Sequence, residues 1–307
     1  MDLFSVLNGG NEKYFVDKEN ISEREEYLRK SLYELIEYSN EKSYIDDKKA
    51  KELYYKLTET LSGEYNLDDV KAFVSSLRPR RLSDRERAVL GLFITSALSK
   101  IIKEDDEITL EIPVELDYLF FEWTKGTVHI NKARDYFAEG LRGGEVSAKY
   151  LRDYCCKDMT GGRVFINKAG EYLGFGMING EIFAGSAGDR LGQEMKGGKI
   201  TAFFAGNNVG FDMSGGEIYL HIAGIDLGVF MKGGLIVSNI AGNFPGSNME
   251  GGLLHLEVGG DWAGYRMKDG TIYANRLGKY VGDKMEGGRI IASRVEGFSK
   301  SYLRSHS

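Results

Sequence analysis

Acidic side chains are the residues of this sequence that could most directly do chemistry. Paired carboxylates act as general acid and general base, and enzymes that cleave carbohydrates or esters use such pairs. If the acidic residues of the C-terminal half lie on one outer face, they form a candidate active site for such an enzyme. A solvated acidic face is the alternative interpretation. The residues are Glu171, Asp189, Asp212, Asp226, Asp261 and Asp283.

Five arginines form the densest basic group of the chain. Arg78, Arg80, Arg81, Arg85 and Arg87 surround the predicted start of a helix, where free backbone N–H groups also favour an anion. Guanidinium groups bind phosphate and carboxylate through paired hydrogen bonds. This group is therefore a candidate site for an anion or an acidic partner, and a solvated turn balanced by neighbouring acids is the alternative.

Cysteine, histidine and methionine are candidate nucleophiles or metal ligands, but their spacing assembles no site. Cys155 and Cys156 are adjacent, so their Cβ atoms diverge and we expect a buried, inert pair. Methionine at a fixed interior position usually fills a core. We therefore predict no catalytic residue, no metal ligand and no cofactor. The histidines, which show neither triad nor metal-site spacing, are His129, His221, His255 and His306.

Composition excludes several classes of protein. A formal charge of −6 disfavours a nucleic-acid partner, since phosphate binding needs clustered basic residues. No apolar run is long enough to span a membrane and no signal sequence is recognisable, so we predict no membrane partner and a cytoplasmic location. The 40 glycines against three prolines indicate ordered backbone with many tight positions. A single glutamine with abundant Lys and Glu favours a thermophilic source.

Helical periodicity dominates the first third of the chain. Ser22 and Ser83 each precede a glutamate by three residues, which is typical of a helix N-terminus. Apolar spacing predicts two further helices, over 46–61 and 67–77. The sequence thus predicts a helical domain with a flexible N-terminal tail over residues 1–104. The wide apolar surface of its last helix packs within that domain or, alternatively, docks a partner.

An 18-residue repeat follows, over residues 105–303. Apart from Met1, every methionine lies on this lattice, and the third residue after each methionine is always glycine. We number the repeat from its methionine as position 0. Position 5 is always a branched aliphatic residue, and positions 11 and 15 are glycine in seven successive repeats. The lattice residues are Met159, Met177, Met195, Met213, Met231, Met249, Met267 and Met285, with Gly162, Gly180, Gly198, Gly216, Gly234, Gly252, Gly270 and Gly288.

The repeat predicts a parallel β-helix of about ten coils. Eighteen residues are too few for a helical hairpin, and the alternation inside each repeat is that of a strand. Methionines and position-5 aliphatics then form interior columns, and glycines mark the corners. Charges at position 4 alternate in sign from coil to coil, as stacked neighbours require. The absence of aliphatics at six-residue steps favours a right-handed helix. The whole chain is thus predicted as α+β, with helices first and the β-helix second.

The phrase Gly-x-x-Met-x-Gly-Gly-x-Ile, as in residues 192–200 and 210–218, resembles the glycine-rich repeat of the GXGXG domain. That domain occurs at the C-terminus of the glutamate synthase large subunit and in one of the subunits of formylmethanofuran dehydrogenase. The resemblance covers about residues 123–300 and implies a right-handed β-helix without catalytic side chains. It also implies a role in holding neighbouring catalytic domains or subunits together. The helical region and the absence of catalytic parts are departures from both relatives.

These observations predict a non-catalytic assembly module that scaffolds a larger redox or amidotransferase-type enzyme complex. Its predicted partners are protein subunits of such a complex. The competing class is an enzyme that uses the acidic outer face on a carbohydrate or ester. A third interpretation is self-association of two β-helices through exposed aromatic residues at position 6, namely Phe165, Phe183 and Tyr219.

Overall fold

Four helices come first in the described part of the chain. The computed structural model describes residues 21–39, 45–61, 65–78 and 82–296. The predicted tail, Arg80, Arg81 and His306 therefore lie outside the described residues. Each predicted helix is found within a few residues of its expected bounds. The helices are α1 (Glu23–Tyr38), α2 (Asp47–Thr60), α3 (Leu67–Ser75) and α4 (Asp84–Ile101).

Side-chain caps set the starts of these helices. The Ser22 hydroxyl accepts from the Glu25 backbone N–H at 3.1 Å, and Asp46 accepts from Lys49 at 2.8 Å. Ser83 begins α4 with a complete capping box, in which Glu86 returns a hydrogen bond to the Ser83 backbone. Residues 88–98 of α4 are all buried, which accounts for its wide apolar surface. None of the helices in these described segments is long and apolar enough to cross a membrane.

Eleven parallel strands follow in one sheet, ordered as they occur in the chain. Parallel neighbours that are consecutive in sequence require the chain to return to its starting side in every repeat. The structure is therefore a β-solenoid of about ten turns, which confirms the predicted parallel β-helix at this level. The strands are β1 (Glu107–Leu110), β2 (Thr127–Lys132), β3 (Glu145–Tyr150), β4 (Thr160–Lys168), β5 (Asn179–Ser186), β6 (Lys199–Ala205), β7 (Glu217–Ala223), β8 (Leu235–Ala241), β9 (Glu250–Gly259), β10 (Asp269–Leu277) and β11 (Arg289–Val295).

The register of the sheet follows the 18-residue lattice. Ile182 pairs with Ile200, and Ile200 with Ile218, so equivalent positions form columns along the solenoid. The methionines from Met159 to Met267 are fully buried, and Met285 in the last coil is partly buried. Each buried side chain of this size contributes roughly 1.5–3 kcal/mol, so the interior columns stabilise the rod along its whole length.

Glycine at position 3 is required by both conformation and space. Gly198 has φ +79°, and an added Cβ would lie 2.7 Å from Cε of Met177 and 2.9 Å from the Gly180 carbonyl oxygen. Position 11 is different, because Gly206 has an ordinary φ but its Cβ would lie 2.9 Å from the Asp189 backbone nitrogen. The two kinds of glycine therefore serve the two purposes that the sequence predicts, a left-handed corner and a close approach.

The turns also place ordinary residues in the left-handed region, which the sequence did not predict. Tyr172 and Glu194 have φ of 58° and 56°, and equivalent residues at positions 13 and 17 behave alike in nearly every coil. Left-handed residues recur at every second position from 13 to 17, and their N–H groups point alternately to the next and to the previous coil. The Tyr172 N–H donates to Asp189 in the next coil, and that of Gly174 donates to Cys155 in the previous one. The turns are thus hydrogen-bonded coil to coil, like the strands.

The helices pack against the first turn of the solenoid, residues 116–123. Thr95 of α4 accepts a hydrogen bond from the Phe120 N–H at 2.8 Å, and the Tyr54 and Phe121 rings meet edge to face at 5.4 Å. Buried side chains of both regions form one continuous core. The chain passes from α4 to β1 between Ile101 and Glu107, near the predicted boundary, and the division into two domains stays a prediction.

Candidate functional site

A shallow groove of about 680 Å³ crosses the outer face of the solenoid from β1 to β6. Side chains at positions 6 and 8 form its two ridges, because alternate residues of a strand point to the same side. The backbone of position 7 forms the floor between them. Apolar atoms provide most of the groove surface, and the polar side chains at its margin include Glu111, His129 and Lys149.

Aromatic rings form the centre of this face. The rings of Phe165 and Phe183 stack with centroids 5.0 Å apart and planes within 10°. Small hydroxyl residues flank this pair in the same column, Ser147 on one side and Thr201 on the other. Phe203 at position 8 is 53% exposed. Exposed aromatic surface of this kind is more typical of a binding surface than of a solvated one.

The position-4 column beside the groove carries charges of alternating sign. Arg163 Nη2 lies 2.8 Å from Glu145 Oε2, within one ladder of the sheet. The Lys199 ammonium lies 4.7 Å from the centre of the Tyr219 ring. Within the described residues Glu181 makes no salt bridge, although it lies between Arg163 and Lys199. This face therefore keeps one unneutralised carboxylate at its centre.

The acidic residues that the sequence suggests as catalytic candidates do not share one column. Glu171, Asp189 and Asp261 occupy position 12, and the other three occupy positions 13, 16 and 17. Oδ1 of Asp189 accepts from the Asn207 backbone N–H at 2.8 Å, and Oδ1 of Asp261 accepts from the Lys279 backbone N–H at 2.7 Å. These carboxylates join one coil to the next.

Asparagine does the same in this column. Asn207 Oδ1 accepts from the Ile225 N–H, and Asn243 Oδ1 from the Asp261 N–H, each at 3.0 Å. The position-12 column therefore requires a side-chain oxygen that accepts a hydrogen bond, and it does not require a negative charge. General acid or base catalysis requires a group that can titrate, so interchange of Asp and Asn favours a structural role.

Substitution of Asp189 tests this role. We expect Asp189→Ala to lower the free energy of unfolding by about 1–2 kcal/mol, because the Asn207 N–H loses its acceptor. Asp189→Asn keeps the acceptor oxygen, so we expect a change below about 0.5 kcal/mol. Urea unfolding of the two variants measures the difference. Equal destabilisation by alanine and asparagine would show that the charge itself is needed.

The arginine group is divided among separate partners. Arg85 Nη2 donates to the Ile36 carbonyl at 2.8 Å and to the Ser39 hydroxyl at 2.9 Å, which satisfies the C-terminal end of α1. Arg87 Nη1 donates to the Glu115 carbonyl at 2.9 Å. These two guanidinium groups thus join α4 to other parts of the chain. Arg80 and Arg81 lie outside the described residues, so an anion site at the whole arginine group stays a prediction.

Among the remaining candidate ligands the two cysteines are buried, His129 and His221 have polar partners, and His255 is exposed. Cys155 and Cys156 are free thiols and fully buried, and burial raises the pKa of both well above the ordinary range. His129 lies 2.6 Å from the Ser147 hydroxyl, and His221 lies 2.8 Å from the Asn239 amide. Within the described segments no three His, Cys, Asp or Glu side chains are grouped as metal ligands.

An ionic cluster joins α2 to the first turns of the solenoid. Lys157 pairs with Asp47 of α2, with Glu139 at 3.4 Å and with Asp158 at 3.8 Å. Glu139 is only 5% exposed, and its Oε2 atom has no hydrogen-bond partner among the described residues. Burial raises the pKa of Glu139 to about 7, and the nearby Asp47 carboxylate adds to the rise while Lys157 opposes it.

Stability should therefore depend on pH near neutrality. In the folded state Glu139 holds its proton up to about pH 7, whereas an unfolded glutamate loses it near 4.5. The free energy of unfolding falls as pH rises through this window, because the unfolded state releases the proton at lower pH. The fall is about 3 kcal/mol at most. Urea unfolding at a series of pH values between about 4.5 and 8 measures the slope.

Glu139→Gln is the matched control for this prediction. It removes the titrating group and keeps the shape of the side chain, so we expect a clearly smaller slope, with the largest loss toward pH 7. Burial also raises the pKa of Asp117, to about 6, so a smaller slope of the same sign should remain in Glu139→Gln. An unchanged slope in Glu139→Gln would contradict the assignment.

The aromatic column at position 6 was predictable from the sequence, whereas the groove, the position-12 acceptors and the ionic cluster were missed. The recurrence of Asp or Asn at position 12, as in Asp153, Asn207 and Asn243, was a signal that could have been read. The cluster gave no such signal, because α2 and the first turns are about a hundred residues apart in the chain. Comparisons of the chain with protein-family models, with curated proteins and with solved structures found no match.

Proposed function

We propose that the chain is a non-catalytic assembly module in which a right-handed parallel β-helix, begun by a helical domain, holds the subunits of a larger enzyme complex together. The observation that carries this proposal is the outer face around Phe165 and Phe183. Half-buried aromatic rings, with the exposed rings of Phe203 and Phe204 and a column of charges beside them, are typical of the centre and rim of a protein interface.

The use of the repeated polar groups supports the same function. Asp189 and Asp261 accept backbone hydrogen bonds from the next coil, so the acids with the most regular spacing contribute to the stacking of the coils. The competing proposal, an enzyme acting on a carbohydrate or ester, needs carboxylates that are free to exchange protons with a substrate.

The resemblance to the GXGXG repeat indicates the kind of complex. Proteins with that repeat hold catalytic domains or subunits together, and the glycines that carry the resemblance, such as Gly198 and Gly216, lie at left-handed corners of this chain. A redox or amidotransferase-type enzyme is therefore the proposed partner. The helical domain would then present the solenoid at a fixed position within the complex.

Purification of the tagged full chain from its native source tests the proposal. We expect catalytic subunits of a larger enzyme to co-purify, and we expect Phe165→Ser with Phe183→Ser to reduce their recovery. Asp189→Asn, on another surface of the solenoid, is the matched control and should leave recovery unchanged. Hydrolysis of a glycan or ester by the purified chain, lost in Asp189→Asn with Asp261→Asn, would support the enzyme instead.

A further inference from the structure

We propose that the face around Phe165 and Phe183 binds the same face of a second copy of this chain. The two copies would be related by a two-fold axis that lies in the interface, parallel to the strands, and passes between β4 and β5. This inference rests on the proposed assembly role and names the second copy as the occupant of that surface, so that the catalytic subunits bind the dimer and not this face directly.

Such an axis has a simple geometric consequence. Rotation about this axis leaves each residue at the same position along its strand and reverses the order of the coils. Every column of one copy therefore faces the same column of the second copy. Strand β4 then lies opposite β5 of the second copy, β3 opposite β6, and β2 opposite β7. The axis therefore fixes which residue of the second copy each residue of a column faces.

The position-6 column is symmetric in size about the axis. Phe165 would face Phe183 of the second copy, and Ser147 would face Thr201. The next residues outward in the column are a histidine and a tyrosine, His129 and Tyr219, which would also face each other. Large side chains thus meet large ones and small meet small. Two aromatic pairs at the centre of an interface supply its largest apolar contact.

The position-4 column is antisymmetric in charge about the same axis. Arg163 would face Glu181 of the second copy, and Glu145 would face Lys199, so every charged pair has opposite signs. Glu181 makes no salt bridge within the described chain and gains one in the pair. Complementary charges at a rim select partner and register more than they add affinity.

The ridge at position 8 and the residue after it are also compatible. Lys149 would face the exposed ring of Phe203, within reach of a cation–π contact. At position 9, Tyr150 would face Phe204, and these two side chains are 56% and 44% exposed. Together with Phe203, which is 53% exposed, their burial would remove the largest apolar exposures of β3 and β6.

The charges and rings together fix the register. An axis passing through a coil, instead of between two coils, would place Arg163 opposite itself and Glu145 opposite Glu181. An axis moved by one whole coil would restore opposite charges but would set Phe183 against Thr201 or Phe165 against Ser147. Only the axis between β4 and β5 satisfies both columns.

The size of the contact predicts a reversible dimer. Six strands spaced about 4.8 Å apart, each contributing about six residues, cover on the order of 500 Å² on each copy. Stable interfaces bury roughly 600–1,000 Å² on each partner, so this contact lies just below that range, among the weak and transient interfaces. We therefore expect a dimer whose population rises with protein concentration.

Sedimentation of the full chain is the first test. We expect the mass to rise with concentration from 34.3 kDa toward twice that value. Phe165→Ser with Phe183→Ser should raise the dissociation constant at least tenfold. A chain that stays monomeric over the whole accessible concentration range would overturn the proposal, as would a dimer that these substitutions leave unchanged.

Charge exchange between copies is the sharper test. Positions 163 and 181 of opposite copies face each other. In Arg163→Glu both positions carry a glutamate, and in Glu181→Arg both carry an arginine, so each variant alone should be monomeric. In an equal mixture the introduced glutamate of one variant faces the introduced arginine of the other, and the native Arg163 faces the native Glu181. Dimers should therefore reappear. Failure of the mixture to dimerise would overturn the two-fold arrangement.

Glu250→Lys is the matched control, because Glu250 pairs with Lys268 at 2.7 Å in a similar column on another side of the solenoid. It should leave dimerisation unchanged. The outcomes also separate this inference from the proposed function. A monomer that still recovers catalytic subunits overturns the dimer alone, and a dimer that recovers no other protein overturns the enzyme scaffold alone.

Discussion

Replacement of Gly198 by valine is expected to destabilise the protein by at least about 3 kcal/mol. A branched side chain at φ +79° is strained, at a cost of order 1–3 kcal/mol. Its Cβ would also lie 2.9 Å from the Gly180 carbonyl oxygen, an atom of the backbone that cannot rotate away. The Gly198 carbonyl itself accepts from the Glu217 N–H at 3.0 Å, so a shift of this corner disturbs the coils on both sides.

Urea unfolding of Gly198→Val and Gly198→Ala measures this effect, and we expect alanine to be the milder of the two. Glu194→Ala is the control, because Glu194 already carries a Cβ at φ 56° in the neighbouring turn. We expect it to change stability by less than about 0.5 kcal/mol. Equal effects at the two positions would show that close packing of the coils at Gly198 is unimportant.

Hydrogen exchange can locate the damage. A solenoid coil contacts only its neighbours, so a defect in one coil weakens the adjacent interfaces first. We expect faster exchange in β5, β6 and β7 than in β10 of the Gly198→Val variant. Uniform acceleration over the whole chain would instead show that the solenoid unfolds as one cooperative unit.

The fold was predictable because the sequence itself repeats with the 18-residue period of the solenoid. Methionine and glycine recur every 18 residues, and each column of the sheet carries that repeat, as in the register of Ile182 with Ile200. The left-handed tyrosines of the turns were not predictable in the same way. Glycine is the usual signal for positive φ, whereas Tyr172 adopts it because its N–H and that of Gly174 pair with opposite coils.

The candidate site was predictable only in part. Period and alternation placed Phe165 and Phe183 on the outer face, but the depth of the groove depends on how the strands bend, which no single residue encodes. The sequence places Asp189 on the outer face, but its role as a backbone acceptor appears only when the next coil lies beside it. Contacts such as Lys157 with Asp47 depend on how the helices dock.

Gly91→Ala is expected to destabilise the protein by about 2–4 kcal/mol, although alanine stabilises an ordinary helix interior by roughly 1 kcal/mol relative to glycine. Gly91 lies in the middle of α4, and an added Cβ would lie 1.9 Å from the Asp117 carbonyl oxygen. That oxygen belongs to the first solenoid turn, which α4 covers. The helix would have to move away and lose buried apolar contact.

The neighbouring turn of α4 makes the close approach useful. Thr95 lies four residues after Gly91, and its hydroxyl donates to the Gly91 carbonyl at 2.8 Å while accepting from the Phe120 N–H at 2.8 Å. Gly91 therefore supplies the space and Thr95 the acceptor. Thr95→Val keeps the space but removes the acceptor, and we expect a loss of about 1–2 kcal/mol from the unsatisfied N–H.

Thermal unfolding and hydrogen exchange at Phe120 distinguish these effects. Gly91→Ala should lower the unfolding temperature and expose the Phe120 N–H, whereas the exposed-side control Lys100→Ala should do neither. A stabilised Gly91→Ala variant would mean that helix propensity outweighs the contact, and that α4 is not held against the solenoid. The sign of one glycine substitution thus decides whether the helices form the fixed end of the rod or a separately mobile domain.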